Sequence, residues 1–76
     1  MNKERRARIT ALVAKLQEAH EELELIRDEE QEAFDNLHEN FQASEKGDQM
    51  EEGINTMDEA VGNLDDAITT LENMEN

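Results

Sequence analysis

Two long segments of the chain repeat apolar residues with the heptad period of paired helices. With Ile9 at position a, apolar side chains fill the a and d positions until Glu30 interrupts them. The a/d stripe, which is the predicted helix contact, is Ile9, Leu12, Leu16, Ala19, Leu23, Ile26, Glu30, Ala33 and Leu37. The e positions add Val13, His20, Arg27 and Phe34. Good helix formers fill most other positions, so we predict a first helix over about residues 3–35.

The second segment has an unbroken heptad and a column of mostly small residues beside it. Its a and d positions hold Met50, Ile54, Met57, Val61, Leu64, Ile68 and Leu71. Its g positions hold Gly53, Ala60, Ala67 and Met74. Because the g column widens the surface that can be buried, this helix is predicted to contact two neighbouring helices. A lone hairpin supplies one neighbour, whereas a four-helix bundle of two hairpins supplies both.

The start of the second helix has two candidates. Asp48 and Glu51 have the spacing of a capping box, in which both side chains accept hydrogen bonds from backbone N–H groups at the helix start. Gly47 would then precede the helix in a turn conformation with positive φ. Ser44 is the alternative start, and it would place Gly47 inside the first turn. We favour a second helix over about residues 48–75.

Residues 36–47 are the predicted connector between the helices, with a helical turn at 38–43. Phe34, Leu37 and Phe41 are expected to fold over the end of the bundle. The predicted fold class is therefore all-α. It is an antiparallel helical hairpin forming one domain over residues 1–76, and it dimerises into a four-helix bundle.

Composition and charge favour self-association over binding to nucleic acid. A chain of 76 residues buries a small core and usually needs further stabilisation by a disulfide, a metal or self-association. Without cysteine, a disulfide is excluded. The formal net charge of −14 argues against direct contact with nucleic acid or an anionic membrane. Residues 1–8 are the exception, with a net charge of +3. We find neither a signal peptide nor a membrane-spanning run, so the expected location is the cytoplasm.

Catalytic and metal-binding patterns are weak. Ser44 is the only serine, and cysteine and tyrosine are absent as nucleophiles. Glu30 is the one carboxylate at a core heptad position, but neither His20 nor His38 has the glutamate three residues before it that a di-metal bundle uses. We expect His20 at the boundary of the helix contact and His38 on a surface turn. The protein is predicted to be no enzyme and to bind no cofactor, with a carboxylate metal-binding bundle as the weakest alternative.

Residues 29–47, EEQEAFDNLHENFQASEKG, are followed by an acidic heptad helix. This stretch resembles a family of small acidic proteins of phages and prophages, in which proline is frequent at the place of His38 and arginine at the place of Lys46. The resemblance covers the connector and the start of the second helix. It implies no established activity.

We therefore expect a small phage-like interaction module that forms a homodimer and binds a host or phage protein. The alternative is a DNA mimic that inhibits a host nucleic-acid-binding or defence enzyme through a basic surface on that enzyme. The candidate contacts are the connector residues, one leucine outside the heptad stripe, and carboxylates of the outer helix faces. They are Phe34, Leu37, His38, Phe41, Lys46, Leu25, Glu21, Glu24, Asp28, Asp58, Asp65 and Asp66.

Overall fold

Two long helices joined by a short one make up the chain. A computed structural model describes residues 1–75, with side chains as far as Met74. Helix α1 spans Lys3–Asp35, α2 spans Glu39–Gln42 and α3 spans Glu45–Glu75. Helices α1 and α3 lie antiparallel in a rod of 58 × 14 × 14 Å. The predicted all-α class with two long helices is confirmed.

Helix α1 has the range that its periodicity and composition predict, and both of its ends are capped locally. The side chain of Asn2 accepts a hydrogen bond from the backbone N–H of Arg5 at 2.8 Å. At the other end, the backbone N–H of Asn36 points to the carbonyl groups of Glu32 and Phe34. The helix therefore ends before the connector without glycine or proline.

Helix α3 begins at Glu45, so the favoured start at residue 48 is wrong and the alternative start at Ser44 is the observed one. The Ser44 hydroxyl oxygen accepts a hydrogen bond from the backbone N–H of Gly47 at 3.4 Å. The backbone N–H of Asp48 donates to the Ser44 carbonyl at 2.9 Å, which places Asp48 inside the first turn. No glycine of the described residues has positive φ, so the turn role predicted for Gly47 is also wrong.

Gly47 is needed instead because α2 crosses the first turn of α3 at this point. A Cβ atom on Gly47 would lie 2.1 Å from the backbone oxygen of Gln42 and 2.7 Å from that of Phe41. The Gln42 side chain also donates to the carbonyl of Phe34 at 3.0 Å, which joins α2 to the end of α1. Close backbone approach at one glycine therefore makes the connector compact.

The contact between α1 and α3 is termed the seam, and on α1 it uses the a and e columns. Every a and e residue from Ile9 to Phe34 is buried or half-buried, and Val13 is 6% exposed. The d residues Leu12, Ala19, Ile26 and Ala33 are all exposed. The predicted a/d contact is therefore wrong for α1. From α3 the seam buries Ile54 and Ile68.

Two ion pairs across the seam define how the helices are aligned. His20 Nε2 lies 2.8 Å from Asp65 Oδ1, and Arg27 Nε lies 2.7 Å from Asp58 Oδ1. In both pairs the two residue numbers add to 85. Because both helices rise about 1.5 Å per residue, this relation gives the residue of α3 that lies level with each residue of α1.

Candidate interaction surfaces

An apolar surface on the outside of the hairpin runs along both long helices. We term it the apolar face. On α1 it is the exposed d column, in which Leu12 and Ile26 are 49% and 46% exposed. On α3 it is formed by the d and g columns, which are half-buried or exposed. These columns hold Met50, Met57, Leu64 and Leu71 at d, and Gly53, Ala60, Ala67 and Met74 at g.

These columns lie on the same side of the hairpin. Successive residues of an α-helix turn by about 100°, so the d column of α1 lies roughly a quarter turn counterclockwise from the seam, viewed from the start of α1. From the same viewpoint α3 runs toward the viewer, and the centre of its d and g columns lies roughly a quarter turn clockwise from the seam. Because α1 and α3 lie side by side with the seam between them, these two opposite rotations turn both stripes toward the same side of the hairpin.

The opposite side of the hairpin, termed the acidic face, brings together the carboxylates predicted as candidate contacts. The same helical geometry places the α1 and α3 members beside each other across the outer edge of the seam. All of them are exposed. The members are Glu21, Glu24, Asp28, Asp58, Asp65 and Asp66.

Arg27 of the seam forms ion pairs with two of these carboxylates, Asp58 and Asp28. Arg27 donates to both Asp58 oxygens, at 2.7 and 3.4 Å, and its side chain is 28% exposed. The hydrogen bond and charge of Asp58, with a smaller contribution from Asp28, raise the pKa of Arg27 above its usual value. The guanidinium therefore stays charged and binds Asp58 in a forked geometry.

His20 lies in the seam rather than at its boundary, so that expectation is wrong. Its side chain is 15% exposed, and Nδ1 lies 2.9 Å from a Glu24 carboxylate oxygen. The Nε2 atom is buried close to Asp65, although this contact lacks the alignment of a hydrogen bond. Both ring nitrogens of His20 therefore lie close to carboxylates.

Sequence reasoning did not single out His20 and Arg27 as contact residues, although a signal for them exists. The e positions of the second segment hold only acidic residues, Glu51, Asp58, Asp65 and Glu72. The e positions of the first segment include both His20 and Arg27. Opposite charges on matching heptad columns predict pairing between those columns.

The connector residues predicted as contacts are placed differently from one another. Phe34 and Leu37 are half-buried, whereas Phe41 is 60% exposed and does not cover the end of the hairpin as expected. His38 is exposed and accepts a hydrogen bond from the backbone N–H of Asn40 at the start of α2. Lys46 is exposed on α3. The connector therefore offers one large apolar side chain, Phe41, to a partner.

Leu25 belongs to neither face. It is 59% exposed, and the helical period places it on the side of α1 turned away from the seam. Its neighbours one turn away along α1 are Glu21, Glu22, Asp28 and Glu29. A single exposed leucine among carboxylates is ordinary for a protein surface and does not form an apolar patch.

Among the described residues, no three His, Asp or Glu side chains are grouped so that they could hold a metal ion. None of the described helices has the length and apolar content to cross a membrane. Comparison with protein-family models, curated proteins and solved structures found no match to this chain. The resemblance to small acidic phage proteins stays a prediction.

Proposed function

We propose that this chain is a non-catalytic protein-interaction module that works as a homodimer. Two hairpins pair through their apolar faces into a four-helix bundle, and the bundle displays acidic faces on its outside. The observation that carries this proposal is the division of one hairpin into an apolar and an acidic side. A side of Leu, Ile, Met and Ala without a covering layer is typical of half a helical bundle.

The exposed area of the hairpin agrees with a missing layer. The chain exposes 5820 Å². A folded monomer of 8.7 kDa is expected to expose about 4,700 Å², so the hairpin exposes roughly 1,100 Å² more. A stable interface buries about 800 Å² on each partner. The excess is therefore large enough for one dimer interface.

Sedimentation equilibrium combined with circular dichroism tests the dimer. At micromolar concentration the protein should sediment with about twice the mass of the 8.7 kDa chain and show a helical spectrum. On dilution, helix content and dimer should be lost together, because a hairpin with three buried side chains among its described residues has little stability of its own. A fully helical monomer at low concentration contradicts the proposal.

The acidic face is the proposed surface for a protein partner, and the phage-like stretch makes a host protein the first class to examine. Neutralising Glu21, Glu24 and Asp28 to Gln or Asn should abolish retention of that partner by the immobilised dimer. Neutralising Glu18, Glu29 and Glu32, which are exposed and which the helical period places away from the acidic face, provides a control of equal charge. Equal loss in both variants means that total charge, rather than this face, determines binding.

A second candidate function is mimicry of DNA, favoured by six carboxylates on one side of a straight rod. A basic nucleic-acid-binding protein retained by the dimer should be released at 0.5 M salt, where charges are screened beyond roughly 4 Å. Duplex DNA should compete for the same protein. Retention at 0.5 M salt, or binding that DNA does not reduce, points to an apolar contact and excludes mimicry.

A further inference from the structure

We propose that the two hairpins of the dimer are antiparallel and that each α1 packs along the α1 of the partner. The twofold axis crosses the α1–α1 contact at the height between Glu22 and Leu23. This arrangement rests on the proposed dimer and specifies its partner surface, direction and register. Four features of the chain support it.

The first feature is the order of large and small residues along the exposed column of α1. In this register, residues of two antiparallel α1 helices lie level when their numbers add to 45. Leu12 then faces Ala33 of the second copy, and Ala19 faces Ile26. Each large side chain therefore meets a small one, which lets the two helices approach closely and fill the space between them.

The second feature is the same complementarity on α3. When residue numbers of two antiparallel α3 helices add to 124, each g residue lies level with a d residue of the other copy. Gly53 meets Leu71, Ala60 meets Leu64 and Ala67 meets Met57, whereas Met74 meets Met50. In three of these four pairs a small residue of one helix faces a large residue of its neighbour.

The third feature is that both helices place the twofold axis at the same height. The α1 pairing centres the axis between residues 22 and 23, and the α3 pairing centres it at Gly62. In the hairpin, level residues of α1 and α3 have numbers that add to 85, as the two ion pairs show. A point between residues 22 and 23 is therefore level with a point between residues 62 and 63. The two estimates differ by half a residue, or less than about 1 Å.

The fourth feature is the uneven charge along the rod. Residues 28–52, at the connector end, carry ten acidic and one basic side chain, a net charge of −9. Residues 1–19 carry +3 and residues 66–76 carry −3, so the opposite end is neutral overall. A parallel dimer would set two strongly acidic ends side by side. The antiparallel dimer places each acidic end beside the neutral end that bears the basic segment 1–8.

Spin-label distances test the direction of the dimer, because the chain has no native cysteine. Ala7→Cys and Glu22→Cys are exposed sites for nitroxide labels, and neither lies in the seam. Ala7 is about 15 residues from the proposed axis, so its two labels should be roughly 45 Å apart or more along the rod. Glu22 lies at the axis, so its labels should be within about 30 Å and serve as the control for dimer formation.

The outcomes separate this inference from the proposed dimer. Two short distances mean a parallel dimer, which overturns the antiparallel arrangement and leaves the proposed dimer intact. Two monomeric samples with no intermolecular distance overturn both. A long distance for Ala7 with a short one for Glu22 supports the arrangement.

Discussion

The seam and the apolar face differ in a way that is unusual for a two-helix protein. The seam is the inner contact, yet it contains His20 and Arg27 and buries only three apolar side chains among those described. The apolar face is on the outside, yet Leu, Ile, Met, Ala and Gly fill its columns. Hairpins that fold alone place their most apolar surface inside. The exposed Leu12 and Ile26, beside an inner contact that contains His20 and Arg27, support the proposed dimer.

The two surfaces also differ in what they contribute. Ion pairs at exposed or half-exposed sites add little stability, but they penalise wrong pairings and so select the alignment of α1 with α3. Apolar contacts contribute more free energy in proportion to the area removed from water. We infer that the seam determines the shape of the hairpin and that association through the apolar face supplies most of its stability.

The largest effect is expected where the connector meets the seam. Gly47→Ala should lower the free energy of unfolding by about 3 kcal/mol, because the new Cβ would overlap the Gln42 backbone oxygen at 2.1 Å. Gly62→Ala is the control, since a Cβ there has open space and the substitution replaces a glycine within a helix by alanine. It should be neutral or stabilise by up to about 1 kcal/mol. Similar results in chemical denaturation of both variants would contradict the close approach of α2 and α3.

An isoleucine lies on each surface, so the same truncation to alanine can compare the seam with the apolar face. Ile54→Ala removes a side chain of the seam that is 4% exposed, and should lower the free energy of unfolding by about 2–3 kcal/mol per chain. Ile26→Ala removes one of the apolar face that is 46% exposed, and should lower it by about 1 kcal/mol per chain, because only the proposed dimer covers its exposed part. Chemical denaturation at one micromolar protein concentration measures both. No loss for Ile26→Ala would contradict the burial of that side chain in a dimer.

The smallest effect is expected from the ion pairs of the seam. Asp65→Asn weakens the contact with His20 and should cost about 0.5 kcal/mol, since the Asp65 side chain is 64% exposed. Asp66→Asn removes the same charge from the next residue and should be neutral or slightly stabilising in a chain of net charge −14. Equal stabilities for the two variants, measured by urea denaturation, would show that the His20 contact contributes nothing.

The sequence predicts the helices of this molecule well because their signals are local. Apolar period and helix-forming residues indicate α1 over residues 3–35, and the structure has Lys3–Asp35. The start of α3 was misplaced because Ser44 and Asp48 are both good caps. The choice between them depends on the contact of Gly47 with the Gln42 carbonyl, which is close only once α2 has folded.

The seam was harder to predict than the helices for a similar reason. The first segment has apolar residues in its a, d and e columns, which is more than a two-helix contact can cover. Hydrophobicity alone cannot say which two columns face inward. The acidic e column of α3 selects the e column of α1 through Arg27 and His20, and leaves Leu12 and Ile26 outside. The acidic face could be foreseen as exposed carboxylates, but its position opposite the apolar face follows only from this pairing.

Sedimentation of two neighbouring variants tests most directly whether the apolar face is the dimer interface. Ile26 and Leu25 are adjacent large side chains of α1 with similar exposure, 46% and 59%, but only Ile26 belongs to the apolar face. Ile26→Glu should give a monomer at concentrations where the natural chain is a dimer, because it places two charges inside the interface. Leu25→Glu should remain a dimer with unchanged helix content. A dimeric Ile26→Glu variant, or equal dissociation of both, would contradict the assignment of this face.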